Sequence, residues 1–334
     1  MKLNGEEEIL EKLEIAWKNG EQIFTLFTSG STGSPKKQEL KRELLIWSAE
    51  QTRKHFIQSS SWKQLIALPL TKAGGFMQWV RSKVWDAEID VLAPCANPML
   101  TYSGDARIIS LTPHQLFHIL ESEESIERLS QFETVLIGGA PLSAALEIKI
   151  LNTWPKVHFV HTFGMTETYS HFAGRTLGEK HYLSIDQTQI RTSNEGQLEI
   201  SNPTTNFDWL NTKDRVEIIG ENTFKWLGRS DFTINSGGLK IQIEDVEAQI
   251  CEQFQLSEND FCCWFEEDQA LGQKLIMLLK KDIISSKNLP NFEKQLKENL
   301  GIMAPKNIQI VNELILTESG KIDRRGSYQF NRFC

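Results

Sequence analysis

The segment FTSGSTGSPKK at residues 27–37 sets two glycines, three serines, two threonines, a proline and two lysines at the end of the apolar run IFTLF. Successive backbone N–H groups and hydroxyl donors on one concave turn suit phosphate oxygens, and Lys36 and Lys37 add positive charge. Two common phosphate-binding patterns do not fit. Gly30 is followed five residues on by Pro35, where GxxxxGK[ST] needs glycine, and GxGxxG is not formed. On composition alone the segment reads equally well as a surface loop.

Four further segments follow in order: FGMTET (163–168), KD (213–214), GRSDFTINSGGLKI (228–241) and ESGKIDRR (318–325). With TSGSTGSPK (28–36) they resemble the motifs of the adenylate-forming acyl and aryl ligase superfamily, over nearly the whole chain. The resemblance implies that Thr28, Ser29, Gly30, Ser31, Thr32, Gly33 and Lys36 hold the outer phosphates of ATP. It places Phe163 and Gly164 at the adenine, Thr166 near the α-phosphate and Glu167 as the Mg²⁺ ligand, a hard cation that takes carboxylate and phosphate oxygens. GGAPLS (138–143) ends an apolar run and resembles the segment lining the adenine pocket, through Gly138, Gly139, Ala140 and Pro141; open α/β sheets bind ligands at such strand ends.

Asp214 resembles the ribose-binding aspartate and Arg229 its neighbour, although Lys213 stands where the superfamily usually has glycine. Lys321 resembles the lysine that bridges the acyl carboxylate and the α-phosphate, where a cation offsets charge building on pentacoordinate phosphorus. The implied reaction forms an acyl-adenylate and pyrophosphate, then a thioester with coenzyme A. Between the two, a small mobile domain turns about Asp231 and presents the strand with Gly237, Gly238 and Lys240, the glycines leaving room for a pantetheine arm.

Only some twenty residues precede the apolar run that leads into the first motif, less than most superfamily members carry. This short form looks like the abbreviated o-succinylbenzoate–CoA ligases of menaquinone biosynthesis, and LPLTKAGGFMQWVRS (68–82) is similar to a segment of the full-length ligases for that acid. Thr71-Lys72 replaces their usual His or aromatic after the proline-leucine pair. o-Succinylbenzoate has two carboxylates and only the aliphatic one is activated, so its ring carboxylate needs a cation or strong donors. Lys72 and Arg81 are the candidates, on a helix that could instead turn Arg81 to solvent. Met165 and His171 beside FGMTE complete the expected acid pocket, and a homodimer partner is one way to close it. Another aryl or acyl acid, a carrier-protein thiol and a non-catalytic nucleotide-binding module are the alternatives.

These residues need elements to hold them. Over the first two-thirds, short apolar runs (IFTLFT, QLIALPL, RIISLT, TVLIGG, VHFVHTFG) alternate with amphipathic helices, the pattern of a parallel, doubly wound α/β sheet. Thr112 before Pro113, and Ser143 with Glu147 in the next turn, are expected helix starts. After about residue 190, closely spaced strands predict a small β-subdomain. A compact α+β unit follows, giving expected domains of 1–229 and 230–334.

The 334 residues are 40% hydrophobic, enough for a substantial core, and the net charge of −8 argues against a nucleic-acid or anionic-membrane surface. The acidic N-terminus is unlike a leader and no run of eighteen apolar residues occurs, so the expectation is a cytoplasmic protein. Five cysteines, Cys95, Cys251, Cys262, Cys263 and Cys334, match no CxxC metal spacing. His114 and His118 lie four apart on an expected helix with no third ligand and are read as structural.

Overall fold

The computed structural model describes residues 5–28, 36–281, 283–285, 288–317 and 322–332, the side chains of Thr28, Lys36 and Arg332 excepted. Of the expected site, Ser29, Gly30, Ser31, Thr32, Gly33 and Lys321 lie outside the described residues, as do the side chains of Thr28 and Lys36. The chain divides into two compact units, Met1–Thr212 with Glu217–Trp226, and Lys213–Val216 with Leu227–Cys334.

The first unit runs α1 (Glu6–Lys18), β1 (Ile23–Thr28), β2 (Lys36–Lys41), α2 (Arg42–Phe56), β3 (Gln64–Ile66), α3 (Ala73–Val84), β4 (Ile89–Val91), β5 (Ile108–Leu111), α4 (Pro113–Ile119), α5 (Glu123–Leu129), β6 (Thr134–Ile137), α6 (Ala144–Thr153) and β7 (His158–Gly164). Strands β4-β3-β5-β6-β7 are parallel neighbours in that order. Parallel neighbours need long crossovers, which the helices supply. Because helices cover both faces, β3, β5 and β6 are buried along their length rather than alternating. Leu65, Ile109, Leu111, Val135 and Ile137 pack with Leu116, Ile119, Leu129 and Ile150 on one side. Ile66 packs with Leu45, Ala49, Phe76, Trp79 and Val80 on the other.

Both expected helix starts form. Thr112 accepts from Gln115 N and Gln115 closes a capping box, while Ser143 accepts from Leu146 N. Glu147 takes no part in that cap; it pairs with Arg175. The IFTLFT run departs from the expected pattern. It does not join the parallel sheet but forms an antiparallel hairpin with β2, Phe24 opposite Leu40. KKQELK is too polar to announce a strand, since only one of its sides meets the core, through the buried Leu40.

After β7 the same sheet continues through β8 (His171–Thr176), β9 (Tyr182–Ser184), β10 (Gln189–Thr192), β11 (Gln197–Ser201), β12 (Leu210–Gly220) and β13 (Thr223–Arg229), in the order β7-β8-β9-β13-β12-β11-β10. The expected β-rich region is present, and its antiparallel pairing already begins at β8.

In the second unit, β14 (Thr233–Ser236), β15 (Leu239–Gln242), α7 (Ile243–Phe254), β16 (Phe261–Asp268), β17 (Gly272–Lys280), α8 (Leu289–Leu300), β18 (Asn307–Val311) and α9 (Arg324–Arg332) surround a five-stranded sheet. Alternation along β16 and β17 splits their side chains between two cores. Cys263, Leu275, Met277 and Leu279 pack with Ile250 and Phe292, while Cys262, Ile276 and Leu278 pack with Val311 and Tyr328. The fold is thus a large α/β unit and a small α+β unit. Among the described residues no helix is long and apolar enough to cross a membrane.

Candidate active site

The carboxyl ends of β6 and β7 lie side by side, Ile137 opposite His161, and deliver GGAPLS and FGMTET to one edge of the sheet. Two side chains of β7 fix the GGAPLS segment. Thr162 Oγ1 donates to Ile137 O at 2.8 Å. His161 Nε2 donates to Ala140 O at 3.1 Å, and Nδ1 accepts from Tyr182 Oη at 2.7 Å. The neighbouring α6 is anchored by the two-point pair of Glu147 with Arg175, both bonds 2.7 Å. Phe163 is half-buried, its ring 5.1–5.6 Å from those of Tyr182, Phe224 and Phe172.

Burial pushes the His161 imidazole down to about 4. A base whose folded value is depressed stabilises the fold above its unfolded value and loses that contribution as pH falls through the folded value. For a shift from 6.5 to about 4 the loss approaches roughly 3 kcal/mol between pH 6.5 and 4. Urea melts of His161→Gln are expected to show a flatter fall over this window than the parent; equal slopes would contradict the assignment.

The turn after β7 is tightly built. Thr168 Oγ1 accepts from Met165 N at 3.1 Å and lies 2.7 Å from Ser170 O, and Tyr169 takes a positive φ of 65°. A Cβ on Gly164 would come within 2.2 Å of Ser170 O and 2.3 Å of His171 Cα. Gly164→Ala is expected to cost about 2 kcal/mol in denaturant melts, as backbone has nowhere to yield; stability within about 0.5 kcal/mol of the parent would show that the turn can open. Tyr169 Oη accepts from Lys41 N at 3.1 Å. That bond ties the turn to β2, the strand emerging from the hydroxyl-rich segment, and nothing in the motif pattern announced it.

Thr166 is half-buried and Glu167 exposed on this turn. Glu167 lines a cavity of about 190 Å³ with Thr205, Asp208, Trp209 and Leu210. Among the described residues no group of three or more His, Cys, Asp or Glu could hold a metal ion. A cation held by Glu167 would take its remaining ligands from phosphate and water, the donor set that suits Mg²⁺.

The acid-pocket candidates part company. Lys72 is the residue before α3, its carbonyl accepting from Phe76 N. Met165 is half-buried at the head of the turn. Arg81 does not face solvent: it is 3% exposed, between α3 and the turn. Its Nη2 donates to Ser170 Oγ at 2.8 Å, and among the described residues its Nε has no partner and it pairs with no carboxylate. Burial alone depresses it to about 9, with no anion offsetting the loss of water. His171, also buried, contacts Thr52 Oγ1 at 2.9 Å and Ser170 Oγ at 3.4 Å. Burial first, and then the Arg81 cation, hold it well below its usual value and so neutral. Ser170 and Thr52 escaped the sequence reading because single hydroxyls carry no pattern.

In the second unit, Arg229 lies between two carboxylates, Nη1 at 3.5 Å from the buried Asp214 and Nη2 at 3.0 Å from Asp231. Its backbone is held as well, N donating to Glu244 at 3.1 Å and O accepting from Gln242 Nε2 at 2.8 Å. Lys213 has φ 61°. The backbone keeps the left-handed conformation that glycine favours even though a lysine now stands there. Lys213→Gly is accordingly expected to gain about 1 kcal/mol in thermal melts; a loss would show that the side chain's contacts outweigh the strain. Gly237 and Gly238, with φ 60° and 83°, form the two-residue turn between β14 and β15, where both positions need positive φ. Lys240 is exposed on β15.

Known proteins are similar to this chain. The AMP-binding enzyme family profile matches residues 3–196. An acyl-CoA synthetase (AMP-forming)/AMP-acid ligase II-like protein from Dyadobacter fermentans is 31% identical, with 96% of this chain and 92% of that one covered and a TM-score of 0.62. The o-succinylbenzoate coenzyme A synthetase of Bacillus subtilis, in complex with ATP and magnesium ion, shares the fold at 20% identity, 91% and 69% coverage and a TM-score of 0.74. A D-alanine–D-alanyl carrier protein ligase of Staphylococcus aureus is 22% identical over 92% of this chain and 71% of its own. The chain belongs to the AMP-binding enzyme family, the adenylate-forming superfamily that its motifs resemble.

Proposed function

We propose that this enzyme uses ATP to adenylate o-succinylbenzoate and passes the acyl group to coenzyme A, releasing AMP and pyrophosphate. The observation that carries the choice of acid is Arg81: a buried guanidinium that meets no carboxylate among the described residues is costly unless a ligand supplies the anion. Arg81 bonds to Ser170, three residues beyond Glu167, so a carboxylate held there belongs to a molecule whose other end reaches the FGMTET turn. An aryl dicarboxylic acid meets that description. The ring carboxylate binds Arg81 and the aliphatic carboxylate is left to react.

In the first half-reaction an oxygen of the aliphatic carboxylate attacks the α-phosphorus of ATP and the bond to pyrophosphate breaks. Lys321 offsets the charge at phosphorus, and Thr166 donates to the α-phosphate. Thr28, Ser29, Gly30, Ser31, Thr32, Gly33 and Lys36 hold the outer phosphates, Asp214 accepts from the ribose hydroxyls with Arg229 beside it, and Phe163 with the GGAPLS segment walls the adenine. Bound Mg²⁺ supplies charge neutralisation of the phosphates, and Glu167 is the residue that would hold it. In the second half-reaction the CoA thiolate attacks the acyl carbon, the C–S bond forms and AMP leaves. We assign Asp231 as the pivot between the halves and the β14–β15 turn with Lys240 to the thiol side, within domains of 1–229 and 230–334.

The Staphylococcus aureus relative's name gives a second reading, an amino acid passed to a carrier protein. A fixed cation in the pocket is a poor neighbour for an acid bearing an ammonium group, which argues against that substrate. Acid-dependent ATP–pyrophosphate exchange with o-succinylbenzoate, benzoate, coumarate and D-alanine tests the choice. Exchange is expected with o-succinylbenzoate at least tenfold above the others; preference for a monocarboxylic or amino acid would overturn it.

A further inference from the structure

The polar contacts around Arg81 become directional once each is given one donor and one acceptor. Thr52 Oγ1 lies 2.9 Å from the Ser48 carbonyl, which can only accept, so the Thr52 proton points there. Towards His171 Nε2, also 2.9 Å away, Thr52 is then an acceptor, and His171 carries its proton on Nε2. That leaves Nδ1 as the acceptor for the Ser170 hydroxyl at 3.4 Å. With its proton turned to His171, Ser170 Oγ keeps its lone pairs for Arg81 Nη2 at 2.8 Å, the one bond that holds the guanidinium among the described residues. Thr52, His171 and Arg81 are buried and Ser170 is half-buried, so water has no access to the Thr52–His171 end of this chain.

We infer that Thr52 and His171 are positioning residues for acid selection: they fix the direction of the Ser170 hydroxyl, whose oxygen holds Arg81 ready for the acid's second carboxylate. The inference rests on the reading of Arg81 given above, and it gives His171 a place behind the pocket rather than against the acid. Thr52→Val keeps the shape and removes the Nε2 acceptor. The tautomer with the proton on Nδ1 then competes, that proton meets the Ser170 oxygen, and the Ser170 proton is turned towards the guanidinium it should accept from.

The test compares o-succinylbenzoate with 4-oxo-4-phenylbutanoate, the same molecule without the ring carboxylate, in pyrophosphate release by parent, Thr52→Val, Thr52→Ser and Arg81→Met enzymes. Thr52→Val is expected to raise the KM for o-succinylbenzoate about tenfold, the scale of one hydrogen bond to a charged group, and to leave the KM for the monocarboxylic analogue and for ATP within twofold. Thr52→Ser is expected to restore the parent value. Long-range ¹H–¹⁵N spectra of ¹⁵N-histidine-labelled protein give a readout independent of activity, with His171 protonated on Nε2 in the parent and a tautomer mixture in Thr52→Val. An unchanged tautomer, equal KM changes for both acids, or failure of Thr52→Ser to restore the parent would overturn the positioning role. If Arg81→Met itself treats the two acids alike, the underlying reading of Arg81 fails instead. If Arg81→Met discriminates and Thr52→Val does not, only the inference fails.

Discussion

Lys321→Ala is expected to slow acyl-adenylate formation by at least about 10²–10³-fold, the loss found when one preorganised hydrogen-bond donor is removed from a developing oxyanion. The same variant, supplied with preformed o-succinylbenzoyl-adenylate and coenzyme A, is expected to form thioester at close to the parent rate. The asymmetry follows from where charge builds. Only in the first half-reaction does phosphorus pass through a pentacoordinate arrangement; in the second, AMP departs with its phosphate already formed. Single-turnover quench experiments on each half separate the two. Equal losses in both would remove Lys321 from its assigned place and make its contribution one of folding or domain packing.

Arg81→Met is the second large effect expected. Methionine fills much of the same buried volume without the charge, so the core around Trp79 and Val80 keeps its packing. Removing a cation that binds a carboxylate in a buried site should raise the KM for o-succinylbenzoate by roughly 10²-fold, since charged pairs without competing water are worth 2–3 kcal/mol or more. The KM for 4-oxo-4-phenylbutanoate should change little. Protein stability is expected to rise or hold, because the uncompensated buried charge is gone from the unliganded enzyme. A stability loss with unchanged acid preference would mean that Arg81 serves the fold and not the substrate.

The contrast between legible and hidden features has a physical cause. Apolar runs such as RIISLT and TVLIGG announce buried parallel strands because both faces need cover, and Thr112 and Ser143 announce helix starts because a side-chain oxygen must satisfy free N–H groups. FGMTET stands out in the sequence as a motif, and the close approach of Gly164 to Ser170 and His171 explains why that turn has no room for a side chain. KKQELK was not legible as a strand, since its partner lies across a hairpin and one buried Leu40 makes no pattern. The solvated-face reading of Arg81 failed for a related reason. α3 is buried almost all round, from Gly75 to Ser82, so helical periodicity offers no outward side on which to place a charge. Thr52, 119 residues before His171 in the chain, became a neighbour only through the fold.

The most direct test of the account is mass-spectrometric analysis of products from ATP, Mg²⁺, coenzyme A and o-succinylbenzoate, with benzoate, coumarate and D-alanine as parallel acids. o-Succinylbenzoyl-CoA accompanied by equimolar AMP, and no comparable thioester from the other acids, is the expected result. Pyrophosphate release without any CoA ester, or a thioester formed preferentially from another acid, would contradict it.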